Sequence, residues 1–162
     1  LARLYRLKGM KRSKPVSILV GSARTAEKYG FFTKEARRLV HKFWPGPLTI
    51  VVQRKKTLPG FLNPGTKTIG IRVPGHALSR RLAQALGRPL TTTSANVTAK
   101  PSPYSASAIK KQFKSRRYKP DFIVDSGRLK KNPPSTEVYL SQGSIRVIRI
   151  GRFLPQQLIS PR

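Results

Sequence analysis

A chain of 162 residues with 38% hydrophobic content can bury one ordinary core, so a single domain over 1–162 is expected and a disordered tail is excluded. Lys and Arg number 34 against five acids, Glu27, Glu35, Asp121, Asp125 and Glu137, and the net charge of +29 favours polyanionic partners. With no cysteine and two isolated histidines, disulfides, thiolate catalysis and a His-rich or thiolate metal site are excluded; no membrane-length apolar run or secretory signal stands out, and a cytoplasmic protein is the default.

The chain opens on Leu1, and "LARLYRLKG" reads as the end of an amphipathic helix with Leu1, Leu4, Tyr5 and Lys8 on one face, so a domain that starts upstream of Leu1 is expected. "VSILV", Val16 to Val20, predicts a short buried strand. Thr33 suits the N-cap of a helix through Phe43, with Ala36, Leu39, Val40 and Phe43 inward, and "WPGP" breaks it. "LTIVVQ", Leu48 to Gln53, and "TIGIRV", Thr68 to Val73, read as strands around a polar loop punctuated by Gly and Pro. Ala77 to Leu86 reads as a helix closed by Gly87. Ser102 before Pro103 predicts a further helix start, with Ile109 and Phe113 inward and Lys110, Lys111, Lys114, Arg116 and Arg117 in water. "FIVDSG", "STEVYL" and "SIRVIRIG" are three more strand candidates. Interleaved strands and helices without repeats predict an α/β or α+β fold with a mixed sheet.

Between Pro89 and Pro103, "PLTTTSANVTAKPSP" sets Thr91, Thr92, Thr93, Ser94 and Asn96 side by side after an expected strand, at the strand end where open α/β sheets bind ligands. Taken alone, Ser94 and Asn96 would be turn residues bonding their own backbone. A serine nucleophile is disfavoured, because the G-x-S-x-G elbow is missing and no His or acid is near in sequence. Trp44 is expected to pack a turn, and His41 and His76 to sit on helix surfaces or caps.

In order along the chain, "KGMKRSKP", "FWPGPLTIVV", "TKTIGIRVPGH", "TTTSANVTAKPSP", "PPSTEVYL" and "IRVIRIG" together resemble the YrdC/Sua5 family of threonylcarbamoyl-AMP synthases over nearly the whole chain. The resemblance implies a twisted mixed sheet with flanking helices and a basic concave face. It implies a nucleotidyltransferase that forms threonylcarbamoyl-AMP and pyrophosphate from L-threonine, bicarbonate and ATP, the first half of the t6A modification at position 37 of tRNA, completed by a separate transferase complex. Chemistry at a phosphate asks mainly for positioning and charge neutralisation, which suits a chain rich in Lys, Arg and hydroxyls.

Carried over residue by residue, the resemblance assigns Lys8, Ser94 and Asn96 to catalysis, Thr68, Ser94 and Arg149 to ATP, and Arg72, Thr92 and Ser135 to threonine. Lys14, Lys11 and Arg12 are left to phosphate or RNA electrostatics. ATP would arrive with its Mg²⁺, and no metal held by the protein itself is expected. Two departures stand out. Met10 occupies the place of a family arginine, and the family's T-[DE]-T-V-Y-G-L strand and loop, expected before the segment matching Leu1, is not in the sequence. The alternative is a non-enzymatic member of the same fold bound to tRNA, rRNA or other double-stranded RNA, since +29 exceeds what ATP requires.

Overall fold

The computed structural model describes residues 1–141 and 144–159. It divides into two compact units, one of Val16–Thr92 with Pro133–Arg162 and the other of Leu1–Pro15 with Thr93–Asn132.

The larger unit is built on a six-stranded open sheet in the order β4-β1-β3-β2-β5-β6. Its strands are β1 (Ser17–Leu19), β2 (Leu48–Gln53), β3 (Thr68–Arg72), β4 (Leu90–Thr92), β5 (Thr136–Ser141) and β6 (Ser144–Arg149). The sheet is mixed: β1 and β3 run parallel, as do β2 and β5, and the other three pairings are antiparallel. Period-2 alternation gives it two unlike faces. Ile18, Ile71, Ile50 and Val138 stand in register across four strands and are all fully buried, which makes one face the core. Gly30 packs against the side chains of Val52 and Ile71 on that face. Phe32 meets Trp44 edge to face at 6.1 Å, and the Trp44 indole N–H donates to the Leu48 carbonyl at 2.7 Å. Trp44 is therefore a packed turn residue, as its Pro and Phe neighbours suggest. The opposite face carries Ser17, Thr49, Thr68, Gly70, Arg72, Thr92 and Glu137.

The helices of this unit follow their local signals. α2 (Ala23–Ala26) is capped by Ser22; α3 (Lys34–Phe43) starts where the Thr33 hydroxyl accepts from Ala36 N–H at 3.3 Å, and buries Ala36 and Leu39. α4 (Ala77–Leu86) ends at Gly87, whose φ of 65° is the left-handed conformation that lacks a Cβ penalty only for glycine. The last helix, Pro155–Ile159, is a single short turn. No helix among the described residues is long and apolar enough to cross a membrane.

The smaller unit contains a helix at Ala2–Lys8, here α1, and another at Ala106–Phe113, here α5. Tyr5, Lys8 and Met10 are buried in it, Tyr5 O–H donates to the Lys14 carbonyl at 3.0 Å, and the buried Phe113 supplies the inner face of α5.

Three expectations need correction. The segment "FIVDSG" forms no strand: Phe122 is 93% exposed, Asp125 turns back to accept from Gly127 N–H at 2.9 Å, and Asp121 pairs with Arg3 at 2.5 Å. Local Asx bonding and an ion pair displace a ladder for which the segment has no partner strand. The α5 cap is Ser105 and not Ser102; its hydroxyl accepts from Ala108 N–H at 3.2 Å, while Gln112 donates back to the Pro101 carbonyl at 2.7 Å and keeps the preceding stretch out of the helix. Thr91 and Thr92 do not follow a strand but are in one, β4, so the loop begins only at Thr93.

Candidate functional site

In the smaller unit, α1 ends by carrying Lys8 inward to 4% exposure, and its ammonium meets the loop that follows Thr93. It donates to the Ser94 carbonyl, to the Asn96 carbonyl at 2.7 Å and to Asn96 Oδ1 at 3.1 Å, with Ser94 Oγ at 3.4 Å. Ser94 Oγ in turn donates to Asn96 Oδ1 at 2.5 Å, and Asn96 Nδ2 donates to the Lys100 carbonyl. Thr98 N–H closes the arrangement on the Lys8 carbonyl at 2.9 Å. Residues 86 and 88 positions apart in sequence thus form one network, in which a buried cation is the common donor. Burial, followed by the nearby Lys14 cation, pulls the Lys8 amine below its ordinary pKa. Among the described residues the buried Thr98 hydroxyl has no hydrogen-bond partner.

Lys11, Arg12 and Lys14 occupy the exposed turn after α1, where Lys14 N–H donates to the Lys11 carbonyl at 3.1 Å. Met10, by contrast, is 8% exposed and belongs to the apolar interior of the unit.

In the larger unit a second cluster forms on the polar face, at the ends of β3, β5 and β6. Arg72 Nε donates to the Gly46 carbonyl at 3.0 Å, leaving both terminal nitrogens without a hydrogen bond among the described residues. Arg149 clamps Ser135, with Nε and Nη2 donating to its carbonyl at 3.2 and 3.0 Å and Nη2 to its hydroxyl at 3.1 Å. Glu137 stands 3.5 Å from the same nitrogen. The buried Ser135 hydroxyl also contacts Thr49 Oγ1 at 2.9 Å. Burial lowers the Arg72 pKa first, and the Arg149 cation lowers it further. Two guanidiniums that repel each other in a partly dehydrated place form a site whose electrostatic strain an anion would relieve.

The remaining assignments fall elsewhere on the same face. Thr92 Oγ1 donates to the Ser17 carbonyl at 3.2 Å on the neighbouring strand. Thr68 is paired with Gln53 at the other end of β3 from Arg72, four residues or about 13 Å along the strand. The structure therefore does not bring Thr68 to the Arg72–Arg149 cluster. Between them lies Gly70, where an added Cβ would stand 2.6 Å from Ser17 Oγ and 3.4 Å from Thr49 Cγ2, so this stretch of the face stays small and hydroxyl-lined. Sequence reasoning left out Thr49 and Glu137. The alternation in "LTIVVQ" and "TEVYL" places both on the non-core face, and that was the available signal.

The family profile described as "Telomere recombination", Sua5/YciO/YrdC, matches residues 1–151. The threonylcarbamoyl-AMP synthase of Rattus norvegicus is 35% identical over 159 residues, 93% of this chain and 55% of its own length; that of Pyrococcus abyssi is 31% identical over 150 residues, 92% of this chain and 43% of its own. This chain therefore spans about half the length of these two relatives. The crystal structure of P. abyssi Sua5 complexed with L-threonine superposes with a TM-score of 0.86 at 30% identity, covering 98% of this chain and 47% of that one. The mixed six-stranded sheet, the ordered motif strings and the matched span together make this chain a member of the Sua5/YciO/YrdC family.

Proposed function

We propose that this protein is an L-threonylcarbamoyladenylate synthase. The observation that carries the reading is the identity of 35% and 31%, over more than nine-tenths of this chain, to threonylcarbamoyl-AMP synthases. The reaction joins the threonine amine to the bicarbonate carbon with loss of water. An oxygen of the resulting carbamate then bonds to the α-phosphorus of ATP, and the bond to pyrophosphate breaks.

Arg72 is assigned the threonine carboxylate. Its Nε is spent on Gly46, so the ring of donors still open is the pair of terminal nitrogens, which can meet two carboxylate oxygens in parallel. Arg149 is assigned to phosphate, pre-oriented by Ser135 and Glu137 so that little side-chain freedom is lost on binding. Ser135 and Thr92 serve threonine through hydroxyls already fixed by Arg149 and Ser17. Thr68 and Ser94 are assigned to the nucleotide. Lys8 and Asn96 act by holding the Ser94 loop in one shape, which makes them positioning residues in this reading. Magnesium would come as the counter-ion of ATP, and the residues named here act on the threonine and phosphate groups themselves.

The test is pyrophosphate release from the purified protein with ATP, threonine and bicarbonate. The reading expects release that needs both threonine and bicarbonate; release indifferent to either, or none, contradicts it.

A further inference from the structure

The loop joining β2 to β3, residues 54–67, lies at the strand ends away from Arg72 and has a fixed shape. Arg54 spends its guanidinium inside it, donating to the carbonyls of Leu62 at 2.5 Å, Leu58 at 3.0 Å and Pro59 at 2.9 Å. Asn63 ties it to Val16, accepting from its N–H at 2.9 Å and donating to its carbonyl at 2.8 Å. The loop bounds a cavity of about 430 Å³ whose lining includes Arg54, Lys55, Lys56, Thr66 and Lys67 and no acid. Among the described residues the amines of Lys56 and Lys67 have no hydrogen-bond or ion-pair partner, and the nearby Glu27 carboxylate is taken by Arg37 at 3.0 Å.

Next to this basic hollow are two aromatic rings in water. Phe31 is 55% exposed, held by its N–H to the Gln53 carbonyl at 2.9 Å, with the Lys55 ammonium 5.1 Å from its ring centroid. Phe61, beside the lining residue Gly60, is 69% exposed. Uncompensated cations call for phosphate, and an exposed ring among them calls for something flat. We propose that this loop is a docking site for single-stranded RNA, one backbone phosphate entering the Lys56–Lys67 hollow and a base stacking on Phe31. The site is apart from the arginine cluster and does not depend on the synthase reading.

The measurement is fluorescence anisotropy of a labelled twelve-nucleotide oligouridylate on the whole chain across a salt series. Replacing Lys56 and Lys67 together by alanine should weaken binding roughly tenfold near 0.1 M salt and reduce the slope of log affinity against log salt by about 0.7, one phosphate contact on a single strand. Both side chains are exposed, so the fold should tolerate the change. Phe31→Ala should cost about five- to a hundredfold even at high salt, and Phe31→Trp should retain binding. An equal loss on replacing Lys110→Ala with Lys111→Ala on α5 would show diffuse charge and overturn the site. Competition by tripolyphosphate as strong as that by RNA, with Phe31→Ala neutral, would assign it to free polyphosphate. Equal competition by polyglutamate would assign it to an acidic protein, and either result overturns the RNA proposal.

Discussion

Arg72 and Arg149 differ in what the fold has already spent. Arg72 has one nitrogen engaged and two open, whereas Arg149 gives two nitrogens to Ser135 before any ligand arrives. Arg72→Lys should therefore hurt threonine more than ATP: a lysine cannot offer parallel donors, and KM for threonine should rise about tenfold or more, the worth of one charged hydrogen bond. A KM for ATP that rises instead would reverse the two assignments. Arg149→Ala should weaken ATP binding by about 1.5–3 kcal/mol, measured by calorimetry, while Lys114→Ala, exposed beyond the end of α5, should not. Met10 is a different case. Family resemblance places an arginine there, but a side chain 8% exposed has no room for a hydrated guanidinium. Met10→Arg is expected to destabilise the protein by about 1–3 kcal/mol in chemical denaturation, from overpacking alone, without raising turnover. Faster turnover at unchanged stability would show that position 10 reaches the reacting groups.

At the scale of elements, what could be read from sequence was what local chemistry decides. β2 was legible because Ile50, Val51 and Val52 are β-branched and flanked by Pro47 and a polar loop, and α4 because Gly87 closes it. The Lys8–Ser94–Asn96 network was named through motif resemblance; its cause, a buried ammonium bonded across 86 residues of sequence, has no local signal. Thr49 and Glu137 were missed for a related reason. Their value comes from the β2–β5 register, Thr49 opposite Glu137, and pairing of distant strands is not written in either strand. "FIVDSG" failed in the other direction: a β-rich composition expresses fitness for a sheet, and this segment has none beside it. Caps are the most testable elements. Thr33→Ala removes the acceptor for Ala36 N–H and should cost about 0.5–2 kcal/mol in urea unfolding; a loss below that range would show that α3 is held by Ala36 and Leu39 packing alone.

For the whole molecule, charge and the buried lysine set the conditions. A native amine with a lowered pKa binds fewer protons than the same amine in the unfolded chain, in the window between its native value and its ordinary 10.5. Stability contributed by Lys8 therefore rises with pH across that window, and below it the burial penalty is constant. Relative to Lys8→Met, the wild-type unfolding free energy should climb as pH rises toward 10.5; a flat difference would mean that the four acceptors around the ammonium cancel its burial. A net charge of +29 favours non-specific attraction of nucleic acid at low salt, so only binding that survives salt speaks to function.

The central claim, that this chain condenses threonine and bicarbonate onto AMP, is tested most directly by following labelled bicarbonate. Incubated with ATP and L-threonine, the protein should move the label into an adenylate that co-elutes with threonylcarbamoyl-AMP, in proportion to pyrophosphate released, and Arg72→Lys should lower that yield at limiting threonine. Label that never enters an adenylate, from protein shown to be folded and to bind ATP, would contradict the account.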